Sequence, residues 1–292
     1  MTLTLTGGAC SPDGYTREGC VLVNGSVQGP TIVAPVGSVV QVTLRNELPS
    51  DAASVHFHGV HMLGTPYFDG ADMISQSSVP GGRAMTLRFL AWPPGTHWYH
   101  GHAALDYADG LRGLFVVTDD AHDPYAACAS AEASLLFAEW QHSSAAQLYV
   151  WHVAMGGGTA RTTGGALGLA NRGFNTSLVN ALYWAGGLVN GVGHSWGLTA
   201  YDRYVTEYAG GATNAFYHVR VAQGSTTRLR LAHGGFYWEL LLQIASHNVT
   251  VIQADGASVM PVVVESMVIA PGERYDVLLT ADRPCGNYTI LW

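Results

Sequence analysis

Residues 54–59 read Ser54-Val55-His56-Phe57-His58-Gly59, and residues 95–102 read Gly95-Thr96-His97-Trp98-Tyr99-His100-Gly101-His102. Each stretch holds a His-x-His pair in strand-like sequence and has Gly or another small residue next to its final histidine. Successive side chains on a β-strand alternate faces, so His56 and His58 point one way, as do His100 and His102. Two such strands in one sheet bring four imidazoles to one side. Neutral imidazole suits copper, zinc, nickel and iron, so the pattern predicts a transition-metal site rather than calcium or magnesium.

Outward from this stretch the chain is short strands between Gly and Pro turns. Val21-Leu22-Val23 runs into Asn24-Gly25, Ser38 to Leu44 is β-branched and short, and Ala84 to Leu90 follows Pro80-Gly81-Gly82. Gly113 to Val117 closes this half. Asp119-Asp120-Ala121-His122-Asp123-Pro124 is polar and ends in proline, which places a join near residues 119–130 and domains at 1–122 and 123–292. The second half opens at Ser134 to Trp140 and continues through an insertion made flexible by Gly156-Gly157-Gly158 and Thr162 to Gly168. Leu188-Val189-Asn190-Gly191 is another strand and turn. Thr226 to Ala232 alternates as a half-buried strand, and Val249 to Gly256, Ser266 to Ile269 and Tyr275 to Leu279 complete the set. The fold class is all-β, an antiparallel sandwich or barrel in each half. The matching positions of Asn24-Gly25 and Asn190-Gly191 hint at a duplicated module.

Composition narrows the function. The 292 residues are 48% hydrophobic and 12% charged, with formal net charge −8 and no lysine. That argues against nucleic acid, which needs a basic patch. No apolar run reaches membrane-spanning length. Met1 to Thr6 alternates like a strand rather than a signal peptide. Sequons at Asn24, Asn175, Asn248 and Asn287 and four cysteines favour an oxidising, secretory setting with a true start upstream of Met1. Four cysteines allow three pairings. Nearness in sequence favours Cys10–Cys20, which leaves Cys128–Cys285 to tie the join to the end of the second half.

These motifs together resemble the multicopper oxidase family, the laccases and ascorbate oxidases, over nearly the whole chain. His56-Phe57-His58-Gly59 through Asp69-Gly70 to Gln76 is similar to its first copper motif, and Gly95 to His102 through Asp109-Gly110-Leu111-Arg112-Gly113 to its second. Leu188 to Gly191 and Gly272-Glu273-Arg274-Tyr275-Asp276-Val277 match in the second half. The resemblance implies cupredoxin-like Greek-key sandwiches and copper. It implies that His56 binds the type 2 copper, His58 and His100 one type 3 copper, and His102 the other. It gives Asp69 a part in proton delivery and Glu139 a part in binding the donor. It also implies O₂ and a small reductant such as a phenol as partners.

The sequence departs from the family pattern in one large respect. The four further cluster histidines and the His-Cys-His segment of the blue-copper site are not in these residues, so the expectation is the first two of three cupredoxin domains, with the third missing and this chain inactive alone. Ser77 replaces the family's cysteine after Gln76. With the ligand set open, the four imidazoles should be exposed and titrate near ordinary values. The alternatives are a non-catalytic copper-binding protein that keeps half a cluster, and a two-domain copper oxidase or nitrite reductase; the missing His-Cys-His segment counts against the latter. The remaining histidines, His61, His97, His122, His142, His152 and His194 among them, read as structural or surface groups.

Overall fold

A computed structural model describes residues 1–154, 186–193, 216–236 and 238–292. The glycine-rich residues 156–158 and 162–168, the Asn175 sequon and His194 lie outside the described residues.

The first half is built from β1 (Thr2–Cys10), β2 (Arg17–Val23), β3 (Ile32–Pro35), β4 (Val39–Asn46), β5 (Val55–His58), β6 (Arg83–Leu90), β7 (Gly95–Gly101) and β8 (Arg112–Thr118). They form two four-stranded sheets, ordered β2-β1-β4-β6 and β3-β8-β7-β5. Alternation supplies the core between them. Val40, Val42 and Leu44 of β4 point inward to meet Val55 and Phe57 of β5, with Leu3, Phe89 and Phe115 completing the filling. The inward-facing Val55 and Phe57 leave His56 and His58 on the opposite face, as period two requires.

The second half begins with β9 (Ala131–Trp140) and α1 (Ala145–Ala154), a short helix that the strand pattern does not foretell. It continues with β10 (Gly186–Val189), β11 (Val192–Gly193), β12 (Thr226–His233), β13 (Leu240–Ile244) and β14 (Val249–Ala254). It ends with β15 (Ala257–Val264), β16 (Ser266–Ile269), β17 (Arg274–Thr280) and β18 (Ile290–Leu291). A seven-stranded sheet runs β11-β10-β9-β12-β17-β14-β15, and a three-stranded sheet β16-β13-β18 covers it. Leu135, Phe137, Leu229, Leu231, Leu240 and Leu242 fill the space between.

The two Asn-Gly turns are alike in detail. Asn24 and Gly25 have φ of 51° and 82°, Asn190 and Gly191 φ of 51° and 75°, the left-handed conformation that Asn and Gly tolerate best. Asn24 accepts from Thr4 N and donates to Thr2 O; Asn190 accepts from Leu136 N and donates to Ser134 O. Each amide side chain thus ties its hairpin to the first strand of its half, two residues apart on that strand.

Three expectations need correction. The strand from Thr226 is not half-buried: Arg228 and Arg230 on its outer face are 2% and 5% exposed, because that face is pressed against the first half. Trp98 and Leu114 from one side and Leu136 and Ala232 from the other form a common apolar cluster there. Cys10 and Cys20 do form a disulfide, but Cys128 and Cys285 do not. Both are exposed free thiols, Cys128 in a 3₁₀ turn before β9 and Cys285 donating to Gln223 Oε1 at 3.1 Å. A disulfide needs both closeness and facing Cβ vectors, and these two thiols sit on separate segments. The third correction, in how the histidines titrate, belongs to the site itself.

Candidate metal centre

Strands β5 and β7 pair antiparallel with His56 opposite His100 and His58 opposite Trp98. This register brings the two His-x-His pairs side by side on the outer face of the sheet. Ring centroids of His56 lie 5.7 Å from His58, 5.4 Å from His100 and 5.5 Å from His102. Ligand atoms of His56, His58 and His100 all lie within 4.8 Å of one another. His102 stacks on His100 at 5.8 Å and faces solvent.

Second partners orient the rings. His56 Nδ1 donates to the Asp69 carbonyl at 2.7 Å, and His100 Nδ1 donates to the Gly101 carbonyl at 2.8 Å. Both bonds fix the tautomer and turn Nε2 toward the shared space, as the outer partners of metal-bound imidazoles do. Asp69 closes a 3₁₀ turn, Pro66–Phe68, and its Oδ1 lies 3.3 Å from His56 Nδ1 with the carboxylate about one-third exposed. Gly70, at φ 84°, lets this loop lie flat on β5, since a Cβ there would sit 2.0 Å from the Val55 carbonyl.

The expectation of ordinary titration fails at two of the four histidines. Burial, and next the Arg274 guanidinium, lower His58 to about 4. Burial also lowers His100 to about 3, aided by the neighbouring His56, His58 and His102. Trp98 explains the desolvation. Its buried indole stacks on His58 at 5.1 Å and on His100 at 4.3 Å. Both rings are thus held neutral at pH 7, the form that binds a transition metal. Imidazoles held in one tautomer at His56 and His100 and desolvated at His58 and His100 fit copper.

His97, one residue out of register, points to the other side, where Nε2 donates to Pro93 O at 2.9 Å and the ring leans on Phe115. His142 pairs with the buried Asp13 at 2.7 Å and His122 with Asp119 at 2.8 Å. Glu139 is fully buried, and its carboxylate accepts from the amides of Phe236 and Trp238.

The sequence reading missed several neighbours of the site. Tyr107 lies 5.2 Å from the His100 ring, its hydroxyl pushed up to about 12 by burial. The Asp106 carboxyl lies against Gly101, and burial raises it to about 8. Arg112 is buried beside them, donating to Gly234 O at 3.1 Å. Tyr107 and Asp106 stand in no His-rich spacing that would mark them, and Arg112, within the Asp109 to Gly113 segment likened to the second copper motif, carries no expected role there.

Comparisons with known proteins agree with this geometry. Multicopper oxidase family models match residues 4–122 and 132–292. Laccase-4 of Trametes villosa is 31% identical over 296 residues, covering 99% of this chain and 48% of that protein. The L-ascorbate oxidase of Brassica rapa subsp. pekinensis is 30% identical, covering 94% and 46%. The crystal structure of a laccase from Botrytis aclada superposes with TM-score 0.79 at 25% identity, covering 99% of this chain and 48% of that one. The chain therefore spans about half the length of the curated relatives it matches.

Proposed function

Because the chain belongs to the multicopper oxidase family, we propose that its halves, residues 1–122 and 123–292, are the first two cupredoxin domains of a laccase-like oxidase. The activity is one-electron oxidation of phenol-type donors coupled to reduction of O₂ to water. The observation that carries this reading is the convergence of His56, His58 and His100, with His102 beside them, on one face of the first half. His56 would hold the type 2 copper, His58 and His100 one type 3 copper, and His102 the other. Copper bound there supplies a redox centre that can pass electrons to O₂.

The chain's own groups do the rest. The Asp69 and Gly101 carbonyls hold the His56 and His100 rings with Nε2 free. Trp98 excludes water from one side of both His58 and His100. O₂ reduction consumes protons, and the partly exposed Asp69 Oδ1 is placed to take one from solvent and hold it beside His56. Glu139, which accepts from the amides of Phe236 and Trp238, would take part in binding the donor. The other four cluster ligands and the type 1 copper would come from outside these 292 residues, since no His-Cys-His segment occurs within them. The Cys10–Cys20 cystine supports an oxidising compartment, and we place the protein in the secretory pathway with glycans on the exposed Asn248 and Asn287. Among the described residues no helix is long and apolar enough to cross a membrane.

The test is oxygen uptake with a phenolic donor on copper-loaded protein, read with the visible spectrum. The 292-residue chain should give no sustained uptake and no intense band near ~600 nm, roughly where copper–thiolate centres absorb. The same chain joined to a third cupredoxin domain carrying His-Cys-His should give both, and His100→Ala should abolish the uptake while sparing the band. Sustained uptake by the unextended chain, or full uptake by the joined His100→Ala variant, would overturn the reading.

A further inference from the structure

The face of β7 that carries His100 and His102 also carries Thr96 and Trp98, and the second half grips its near end. Thr96 is buried and is held at two atoms, its hydroxyl also accepting from Arg230 Nη1 at 3.4 Å. Its hydroxyl donates to Asp276 Oδ1 at 2.5 Å, and its carbonyl accepts from Arg274 Nε at 3.1 Å. Neither grip is loose. Asp276 is fully buried, and its other oxygen accepts from Arg228 Nε at 2.9 Å and from Arg230 Nη1 at 2.8 Å. Glu132 and Asp123 close the outer side of those two arginines. Arg274 is fixed by the carbonyls of Gly272 and Asp255, each at 3.1 Å. A planar guanidinium with its donors committed in this way is a rigid strut.

The second half touches the first half's site region at three other points, two from Gly272 and Arg274 and one from Gly256. A Cβ on Gly59 would lie 2.5 Å from Arg274 Nη2, one on Gly272 would lie 3.0 Å from His58 Cε1, and one on Gly95 would lie 2.5 Å from Gly256 Cα. Between the grip and the ligands stands Trp98, packed on Leu136 and Ala232 of the second half and stacked on both His58 and His100. Interiors are close-packed and transmit displacement rather than absorbing it. The seat of the His58–Trp98–His100 stack is therefore set from the second half.

We infer that Arg274 and Asp276 are positioning residues for the metal centre of the first half: by holding Thr96 at its carbonyl and its hydroxyl, they fix β7 and with it the spacing of His58 and His100. The inference rests on the proposed copper role of those histidines. It gives the second half, which supplies none of the four, a defined task in assembling the site.

The test uses the 292-residue chain with Thr96→Val, Thr96→Ser and Arg274→Gln, and Leu242→Ala as a variant that weakens the second core without touching the grip. Two readouts are taken: histidine ring nitrogen resonances of metal-free protein, and copper(II) affinity by chelator competition. Thr96→Val and Arg274→Gln should shift the His58 and His100 resonances and lower affinity about tenfold, the usual scale for loss of an outer partner. Thr96→Ser, which keeps the hydroxyl, should restore both, and Leu242→Ala should change only the melting temperature. If Arg274→Gln does not fold, Thr96→Val decides alone, since it only exchanges a hydroxyl for a methyl. Unmoved ring resonances with unchanged affinity in a folded Thr96→Val would overturn the inference. A wild-type chain that binds no copper would overturn the copper reading instead, and the metal-free resonances would still decide the grip.

Discussion

Strand β5 of the first half and strand β13 of the second each open the covering sheet's pairing with a later strand, β5 at its edge and β13 in its middle, yet only β5 presents a pair of histidines. In each half the first strand runs parallel to a central strand, β1 with β4 and β9 with β12, and that strand pairs antiparallel with the next, β6 or β17. In the covering sheet β5 pairs with β7, and β13 with β18. The inward positions are apolar in both, Val55 and Phe57 against Leu240 and Leu242. The outward positions differ: His56 and His58 in one, Leu241 and Gln243 in the other. The central sheets show the reverse allocation. Thr43 and Thr86 make an exposed hydroxyl pair in the first half, where Arg230 and Asp276 make a buried ion pair in the second. Period-two alternation leaves the outer face free to vary without disturbing the core, so one frame yields a ligand face in one copy and a docking face in the other.

The comparison is most sharply tested at those paired positions. Asp276→Ala leaves Arg228 and Arg230 buried without their central carboxylate, and should cost about 3–5 kcal/mol in denaturant unfolding, as breaking buried ion pairs does. Thr86→Ala at the matching exposed site should stay within about 0.5 kcal/mol. Similar losses at the two positions would break the correspondence.

Acid should separate the halves next. Burial lowers His58 and His97 to about 4 and His100 to about 3, all in the first half, while the second has His233 lowered by burial. The unfolded chain binds these protons near pH 6.5 and the folded chain does not, so the histidines' contribution to stability is complete above about 6.5 and is lost as pH drops toward 3. Hydrogen exchange of metal-free protein should show the amides of Phe57 and Tyr99 losing protection in that window before those of Leu229 and Leu231. Simultaneous loss would mean that the first half is not the acid-sensitive one.

Much of this was legible beforehand. The strands and the shared facing of the His-x-His pairs follow from alternation, and the Asn-Gly turns from the demand for positive φ. What escaped depends on what lies opposite a face. Thr-Thr-Arg-Leu-Arg-Leu-Ala reads as one solvated and one buried side, and nothing within it shows that Asp276 and Thr96 await its arginines. The desolvation of His58 and His100 was missed for the same reason, since it comes from Trp98 and the covering second half. Cysteine pairing was half-legible: Cys10 and Cys20 close a hairpin across β1 and β2, whereas Cys128 and Cys285 sit on separate turns.

Smaller effects sharpen the duplicated turns. Asn24→Ala and Asn190→Ala should each cost about 1–2 kcal/mol, from lost hydrogen bonds and strain at positive φ, and glycine at either position should cost less. Matching values from thermal unfolding would show that the two turns carry equal weight; a loss at only one would not. Least of all, Cys128→Ser and Cys285→Ser should leave stability within about 0.5 kcal/mol under non-reducing conditions.

The central claim, that the outer face of β5 and β7 is a copper site and that of β13 is not, is tested most directly by electron paramagnetic resonance of copper(II) bound to the 292-residue chain after dialysis. The account predicts retained copper with imidazole nitrogen couplings, lost in His56→Ala/His100→Ala and unchanged in Leu241→Ala/Gln243→Ala. Copper that survives the histidine pair's removal, or none retained by the wild-type chain, would contradict it.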